Sequence, residues 1–427
     1  MANDEKERHL DVYEDRYELH QDDVMMVHYQ GVQNEAAKRR YARINRELAG
    51  GYLNRAIKSI PTRDFTGLSE GNRALLKDMV DGITSEVGRA LVGLACLQLA
   101  IKAVAPEQSI RLHKGSASGG RFSWVDGISM RTLDRNYNTP FLREYGLLNV
   151  NRDGVFMTRS LAENYPYSKL YKAEMRGPFV QWIAIVDAIE GNMLPAELGL
   201  CYLIALLQNR SEVFRQHAEK ACLLAGKFDG TAFGRIKELV ASFFNSTDYS
   251  ARAFEVTMHG FYQAMEELQL LGEADVVPMS QMRSANKKHG NVGDIELTEN
   301  GIITEAWDAK YGKPYLRDEL EELRDKLLTH PEVKIAGFVC DGKVDLRKDI
   351  VSRAEEVELE TGTEIHLFSF DEWIDFEIRD LNKEQKDRLG FRWLVAVVES
   401  FAQKRLGAAP INEPCDAWIN DLIKIME

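Results

Sequence analysis

The sequence is poor in cysteine and has no long uninterrupted apolar run, and each absence narrows the class of protein. Its 427 residues include five cysteines, an odd number with neither metal-ligand spacing nor a disulfide framework. We therefore expect buried thiols in a reducing, cytoplasmic compartment. The most apolar stretch, residues 90–104, is interrupted by Gln98 and Lys102 and falls short of the ~18 residues that a membrane span requires.

Positive charge is also in short supply, since 54 Lys and Arg stand against 67 Asp and Glu, giving a net charge of −13. This balance argues against unselective binding of polyanions, although a local basic surface can still bind DNA. Residues 107–180 hold 11 Lys and Arg against 7 Asp and Glu, so the basic part lies mid-chain. The first 20 residues are acidic and polar, and no signal peptide is expected. The length predicts two or three domains.

The most informative stretch is 293–312, GDIELTENGIITEAWDAKYG. Asn300-Gly301 between alternating apolar segments predicts a tight hairpin turn that joins strands 294–297 and 302–310. Side chains alternate along a strand, so Asp294 and Glu296 are expected on one face of the first strand, and Asp308 and Lys310 on one face of the second. Clustered carboxylates are the hard oxygen ligands that Mg²⁺ prefers, and a neighbouring lysine can orient or deprotonate a water. This combination suits hydrolysis of a phosphodiester.

The segments after the hairpin predict two helices alternating with two strands. Apolar spacing indicates a helix over 316–330 and another over 348–361, while 333–340 and 364–370 read as strands. The order strand, strand, helix, strand, helix, strand fits a mixed sheet with helices on its faces. With Asp294 followed by Asp308-Ala309-Lys310, it resembles the PD-(D/E)XK nuclease core. The proline that usually precedes the first aspartate is replaced by Gly293.

The middle of the chain is a candidate region for reading DNA. Residues 106–178 are rich in Arg, Asn, Ser, Thr and Tyr, the side chains that bond phosphates and base edges. They form either a recognition surface or a polar surface with structural arginines. The candidate DNA-binding residues, two of them in the later loop 279–291, are Arg121, Arg131, Arg135, Asn136, Asn138, Arg159, Lys287 and Lys288.

Two helices outside this region, one on each side of it in sequence, carry further candidates. A helix over 251–271 places Glu255, His259 and Gln263 on one stripe. Glu255 is either an additional metal or water ligand or part of an ordinary polar face. Residues 36–48 form a basic helix whose charged face is either solvated or in contact with phosphates. Residues 1–35 are expected to be an arm and a helix.

Several stretches together resemble the SacI-type group of type II restriction endonucleases. They are SMRTLDRNYNTPFLREYGL, GVFMTRSLAENYPY, AFEVTMHGFYQAMEEL and GDIELTENGIITEAWDAKYGK, and the similarity runs from about residue 118 to 376. The resemblance implies Mg²⁺-dependent cleavage of double-stranded DNA at a short defined sequence, and a companion methyltransferase. It assigns catalysis to Asp294, Asp308 and Lys310, with Asp294 and Asp308 as metal ligands and Glu255 and Glu296 as further partners.

The sequence as a whole predicts an α/β (α+β overall) protein with a restriction-endonuclease-like mixed sheet. We expect an N-terminal helical region over 1–105, a helical and loop recognition region over 106–248, the nuclease core over 249–376 and C-terminal helices over 377–427. A homodimer is expected because many such enzymes read two-fold symmetric sites. The alternatives are a repair or structure-specific nuclease, and a non-catalytic DNA-binding protein on the same fold.

Overall fold

The computed structural model describes residues 8–21, 24–83, 86–115, 122–173, 175–229, 232–279, 291–404 and 415–427. Two compact units make up the chain; the first runs to Val213 and the second begins at Phe214, inside one long helix. This division lies upstream of the break predicted at 248, where one helix ends and the next begins.

The first unit combines a small antiparallel sheet with a group of helices. Its strands, hydrogen-bonded in the order β1-β2-β3, are β1 (His9–Val12), β2 (Arg16–Gln21) and β3 (Val24–Tyr29). Its helices are α1 (Glu35–Ala49), α2 (Tyr52–Ser59), α3 (Glu70–Asp81), α4 (Glu86–Val104), α5 (Met130–Leu133), α6 (Thr139–Glu144), α7 (Phe179–Glu190) and the first part of α8 (Ala196–Gly226).

The N-terminal sheet shows that the prediction of an arm and a helix over 1–35 is wrong for the described residues. In β2, buried side chains such as Tyr17 and Leu19 alternate with half-buried ones, which is the period of a strand. Tyr17 packs edge-on against Trp124, with 4.9 Å between ring centroids. Since this packing partner is distant in sequence, the short local pattern alone did not reveal the strand.

Helix α4 is the centre of the first unit, and its two polar interruptions have partners. The Gln98 side chain accepts a hydrogen bond from Trp182 Nε1 at 2.8 Å and donates one to the Ile110 carbonyl at 3.0 Å. Lys102 Nζ lies 3.0 Å from a Glu190 carboxylate oxygen. The helix is therefore a core element in which both polar side chains are satisfied.

The second unit is built on a five-stranded mixed sheet with helices on both faces. Its strands are β4 (Asp275–Val276), β5 (Ile295–Glu299), β6 (Ile302–Lys310), β7 (Ile335–Cys340) and β8 (Glu364–Ser369), hydrogen-bonded in that order. Its helices are the rest of α8, α9 (Phe233–Ser246), α10 (Ser250–Glu267), α11 (Arg317–Leu327), α12 (Lys348–Thr361), α13 (Phe370–Glu377), α14 (Lys383–Phe401) and α15 (Cys415–Met426). Strands β4 to β6 pair antiparallel, and β6 to β8 pair parallel.

The sheet separates two apolar clusters, as the alternation along β6 requires. Trp307 belongs to a cluster with residues of α9, α10, α13, α14 and α15. Its neighbour Ala306 belongs to a second cluster with residues of α11 and α12. The predictions of a mixed α/β architecture and of the strand and helix order after the hairpin are confirmed.

Candidate active site

A tight hairpin brings two aspartates together at one end of the sheet. Asn300 and Gly301 both adopt positive φ, 53° and 78°, which matches the turn of a two-residue hairpin. The register pairs Ile295 with Trp307, so Asp294 lies beside Asp308. Each aspartate accepts a backbone N–H from the other strand: the Asp294 amide donates to Asp308 Oδ1, and the Ala309 amide donates to Asp294 Oδ2, both at 3.1 Å.

Lys310 completes this arrangement from the next position on the same face of β6. Its Nζ lies 3.2 Å from Asp308 Oδ2 and 5.4 Å from the centre of the Phe338 ring. Burial by itself lowers the pKa of the ammonium, but the attraction of Asp308 and then Asp294 outweighs it, and the net pKa of Lys310 is raised. The lysine is therefore held as a cation beside the carboxylates.

Helix α10 supplies a third carboxylate to the same site. Burial raises the pKa of Glu255, while the nearby Arg252 opposes the rise, and the charges of Asp308 and Lys310 also act on it. Arg252, whose side chain is 5% exposed, donates to the Glu255 carboxylate through Nη1. The two residues are three apart on the helix, so they share one face.

Two carboxylates and one ammonium act on Asp294, so the charge around it is negative on balance. Burial raises its pKa well above the ordinary value, and Asp308 and then Glu255 raise it further, against a lowering by Lys310. Three carboxylates facing one ammonium and one guanidinium carry a formal excess of one negative charge. Excess negative charge among hard oxygen donors fits a divalent cation such as Mg²⁺.

The side chains of Asp294, Asp308 and Glu255 do not form a compact set of metal ligands by themselves. Among the residues that the structure describes, one group of three or more His, Cys, Asp and Glu has all its ligand atoms within 4.8 Å of one another, and it lies in the N-terminal sheet. Asp294, Asp308 and Glu255 are therefore more open than such a group. This suits Mg²⁺, which keeps several waters and commonly uses one or two carboxylates together with substrate oxygens.

Glu296, predicted as a further partner, lies outside this acidic cluster. Its Oε1 accepts the backbone amides of Val292 at 2.6 Å and Gly293 at 3.3 Å. Burial raises its pKa, and the charged neighbours that lower it are His330 and Lys326. Glu296 thus anchors the segment that enters β5, which is a structural role near the site.

The candidate DNA-binding residues of the first unit are of two kinds. Arg131, Arg135, Asn136 and Arg159 are exposed, although Arg131 also donates to the Phe156 carbonyl at 3.0 Å. Asn138 is fully buried, so its predicted role in contacting DNA is wrong. Its side-chain amide instead donates to the Gly93 carbonyl at 3.0 Å and to Asp134 Oδ1 at 2.8 Å. Arg121, Lys287 and Lys288 lie outside the described residues.

Sequence reasoning placed Glu305 and Trp307 in a supporting role on the opposite face of the strand, but it missed Arg252 and the group that Glu305 forms with Tyr262 and Glu377. On the opposite face of β6 from Asp308, the Tyr262 hydroxyl lies 2.8 Å from carboxylate oxygens of both Glu305 and Glu377. Trp307 Nε1 donates to the same Glu305 oxygen at 2.5 Å. The spacing of Arg252 to Glu255 was a usable signal, whereas nothing local links Glu377 to Glu305.

Comparison with known proteins adds no family assignment. A scan against protein-family models finds no match for this chain, and a search of the curated proteins finds none either. Within the described part of the chain, no helix combines the length and apolar character needed to cross a membrane. The case for a function therefore rests on the geometry of the residues themselves.

Proposed function

We propose that this chain is a Mg²⁺-dependent nuclease with a restriction-endonuclease-like fold, and that it cleaves double-stranded DNA as a type II restriction endonuclease. The observation that carries the proposal is the juxtaposition of Asp294, Asp308 and Lys310 on the β5–β6 hairpin of a mixed sheet. Carboxylates that can hold a metal, with a lysine beside them, are groups suited to phosphodiester hydrolysis. A protective methyltransferase and a cytoplasmic location belong to the same proposal.

In this role Asp294 and Asp308 would hold the metal, and Glu255, which interacts electrostatically with both, would be the candidate to bind a water of its shell. When bound, Mg²⁺ supplies a Lewis acid that stabilises negative charge on the scissile phosphate. The reciprocal backbone bonds from Asp294 and Ala309 fix the two carboxylates before any ligand arrives. This prior arrangement limits the reorganisation that binding would otherwise need.

Lys310 would act as a hydrogen-bond donor. The raised pKa of Lys310 keeps Nζ protonated at neutral pH, so the ammonium can donate hydrogen bonds but cannot accept them. It can therefore orient a water through the water oxygen and can neutralise charge on a phosphate oxygen. Contact with Asp308 on one side and the Phe338 ring on the other restricts where the ammonium can reach. This geometry favours positioning of the attacking water over its deprotonation by the lysine.

The first test is digestion of unmethylated phage DNA by the full-length protein, with and without Mg²⁺. Asp308→Asn and Lys310→Met should lower the cleavage rate by at least two to four orders of magnitude, about the range seen when one catalytic group is lost. Circular dichroism should show an unchanged fold. The matched controls Asp325→Asn and Lys334→Met alter exposed residues and should cut at the wild-type rate.

The products separate the candidate activities. Discrete Mg²⁺-dependent fragments support a sequence-specific endonuclease, whereas a smear or cleavage of branched DNA alone would indicate a repair or structure-specific nuclease. Binding without cleavage on every substrate would indicate a non-catalytic DNA-binding protein. Wild-type activity of Asp308→Asn would show that the site is misplaced.

A further inference from the structure

A second cluster of metal-ligand side chains lies in the N-terminal sheet, in the other unit of the chain. Strands β1 and β2 pair so that His9 faces His20, and Asp11 shares a face with His9 two residues along the same strand. His9 Nε2 lies 3.4 Å from Asp11 Oδ2, and His20 Nε2 lies 3.6 Å from the same oxygen. Two imidazole nitrogens therefore converge on one carboxylate oxygen.

From this convergence we propose that His9, Asp11 and His20 form a site for a transition-metal ion of the Zn²⁺ class. This site is separate from the proposed Mg²⁺ site, both in its residues and in its ligand chemistry. Imidazole nitrogen suits Zn²⁺ and related ions, whereas Mg²⁺ takes oxygen ligands and waters.

The two nitrogen-to-oxygen distances are close to those of a tetrahedral zinc site. Zinc bonds to His nitrogen and carboxylate oxygen of about 2.0–2.1 Å place neighbouring ligands of a tetrahedron roughly 3.3–3.4 Å apart. The two nitrogen-to-oxygen distances, 3.4 and 3.6 Å, lie at or just above this value. All three ligand atoms fall within 4.8 Å of one another.

The three side chains are partly exposed to solvent, which can supply a remaining ligand. The side chains of His9, Asp11 and His20 are 46%, 45% and 30% exposed, so water can take the open position. Glu18 lies across the pair from Asp11, but its carboxylate already accepts Arg16 Nε at 2.7 Å. The set is thus two histidines and one aspartate with an open position.

Binding should leave two structural signatures. The imidazole rings stack with 4.1 Å between centroids and 13° between planes, whereas an ion must lie close to the plane of each ring it contacts. The rings should therefore tilt apart when the ion binds. Because β1 is an edge strand, a metal that joins it to β2 should also slow hydrogen exchange of the β1 and β2 amides.

The test titrates Zn²⁺ and Co²⁺ into the untagged full-length protein, with chelator competition for affinity and Co²⁺ absorption for ligand geometry. One tight equivalent with a tetrahedral Co²⁺ spectrum is expected. His9→Asn and His20→Asn should each weaken binding by more than the roughly 10- to 100-fold that loss of an outer partner costs. The control His330→Asn alters a histidine paired with a single carboxylate, Glu332, and should leave binding unchanged.

Further variants separate this site from the proposed nuclease site. Asp308→Asn should retain the tight Zn²⁺ equivalent and the slowed exchange in β1 and β2. Equal Zn²⁺ affinity in the wild type, His9→Asn and His20→Asn would overturn the proposal. So would loss of the tight Zn²⁺ equivalent in Asp308→Asn while both histidine variants keep it. Exchange in β1 and β2 that does not respond to Zn²⁺ would also contradict it.

Discussion

At the scale of single residues, the main feature of the candidate active site is buried negative charge that nearby positive charge balances only in part. Asp294, Asp308 and Glu255 are brought together in a region where water screens them weakly, so Asp308 and Glu255 raise the cost of ionising Asp294, and Asp308 raises that of Glu255. Lys310 beside Asp308 and Arg252 beside Glu255 offset part of this repulsion. The proposed metal would offset the remainder, which is why the same residues that cost stability are suited to binding.

Arg252 should matter for stability because it balances a buried carboxylate. Arg252→Met should lower the free energy of unfolding by about 3–5 kcal/mol, the usual range when one partner of a buried pair is removed. Urea denaturation at neutral pH measures the change. The double variant Arg252→Met/Glu255→Gln should recover much of the loss since it also removes the negative charge. An Arg252→Met protein as stable as the wild type would mean that Glu255 does not depend on this cation.

Gly293 is the residue before the first aspartate, and its lack of a side chain has a steric cause. A Cβ at this position would lie 2.8 Å from the Trp307 carbonyl oxygen and 3.0 Å from the Trp307 backbone carbon and nitrogen. Backbone atoms of a central strand cannot move aside easily. The close approach explains why a glycine stands directly before Asp294.

Gly293→Ala should therefore displace the start of β5. The expected loss is about 1–3 kcal/mol, as for other overpacked positions, together with lower cleavage activity because Asp294 is the next residue. Thermal unfolding and the phage DNA digest measure the two effects. Gly342→Ala is the matched control, since a Cβ there meets no atom within 4 Å. Similar melting temperatures for the two variants would contradict the steric explanation.

At the scale of secondary-structure elements, a tyrosine of α10 connects a glutamate of β6 to a glutamate of α13 by hydrogen bonds. The Tyr262 hydroxyl contacts carboxylates of both Glu305 and Glu377, but it has only one hydrogen to donate. Burial first, and then the charge of Glu305, raises the pKa of Glu377 from its ordinary 4.5 to about 8, while Tyr262 and Arg379 act to lower it. At neutral pH the proton on Glu377 completes the hydrogen bonds of the group.

This group predicts a pH dependence of stability with a definite sign. The folded protein keeps a proton on Glu377 that the unfolded chain releases above about pH 4.5, so the group's contribution is full below that pH and is lost as pH rises toward 8. Glu377→Gln keeps a neutral side chain at all these values. Urea unfolding between pH 5 and 8 should show a flatter dependence for the variant than for the wild type.

The expected size is at most a few kcal/mol, given about 1.4 kcal/mol per unit of pKa difference. Glu384→Gln, at an exposed position in the first turn of α14, serves as the control and should keep the wild-type slope. If Glu377→Gln and the wild type changed in parallel across this range, Glu377 would have to be ionised in the folded protein.

At the scale of the whole molecule, the candidate chemistry and the candidate recognition residues belong to different compact units. The acidic cluster lies in the second unit, whereas the exposed Arg131, Arg135 and Arg159 lie in the first. A net charge of −13 makes DNA binding depend on where the positive charges are placed. Exposed arginines near the middle of the chain are the type of residue that positions a protein on phosphates.

A homodimer is the assembly that we expect for the proposed activity, because a two-fold symmetric DNA site is matched by a two-fold symmetric protein. Each protomer would present one set of Asp294, Asp308 and Lys310 to one strand. Sedimentation of the free protein and of its complex with the cleaved DNA sequence should give the mass of two chains. A single chain in both measurements would count against paired cleavage and would favour a nuclease that cuts one strand at a time.

The sequence by itself determined the features that depend on neighbours in the chain. The Asn300-Gly301 turn joins strands only a few residues away, so the pairing that places Asp294 beside Asp308 was predictable from local pattern. Helix α12 begins and ends where its apolar spacing predicted, at Lys348 and Thr361. Lys310 could be placed beside Asp308 because strand alternation determines which side chains share a face.

Only the tertiary structure decided the features that depend on distant segments. Asn138 and Arg131 are close in sequence and both polar, yet packing against α4 buries the first and leaves the second exposed. Strand alternation places Glu296 on the same face as the candidate metal ligand Asp294. Its carboxylate nevertheless accepts hydrogen bonds from the backbone amides of Val292 and Gly293. Burial and hydrogen-bond satisfaction are properties of the assembled fold, and side-chain chemistry alone does not contain them.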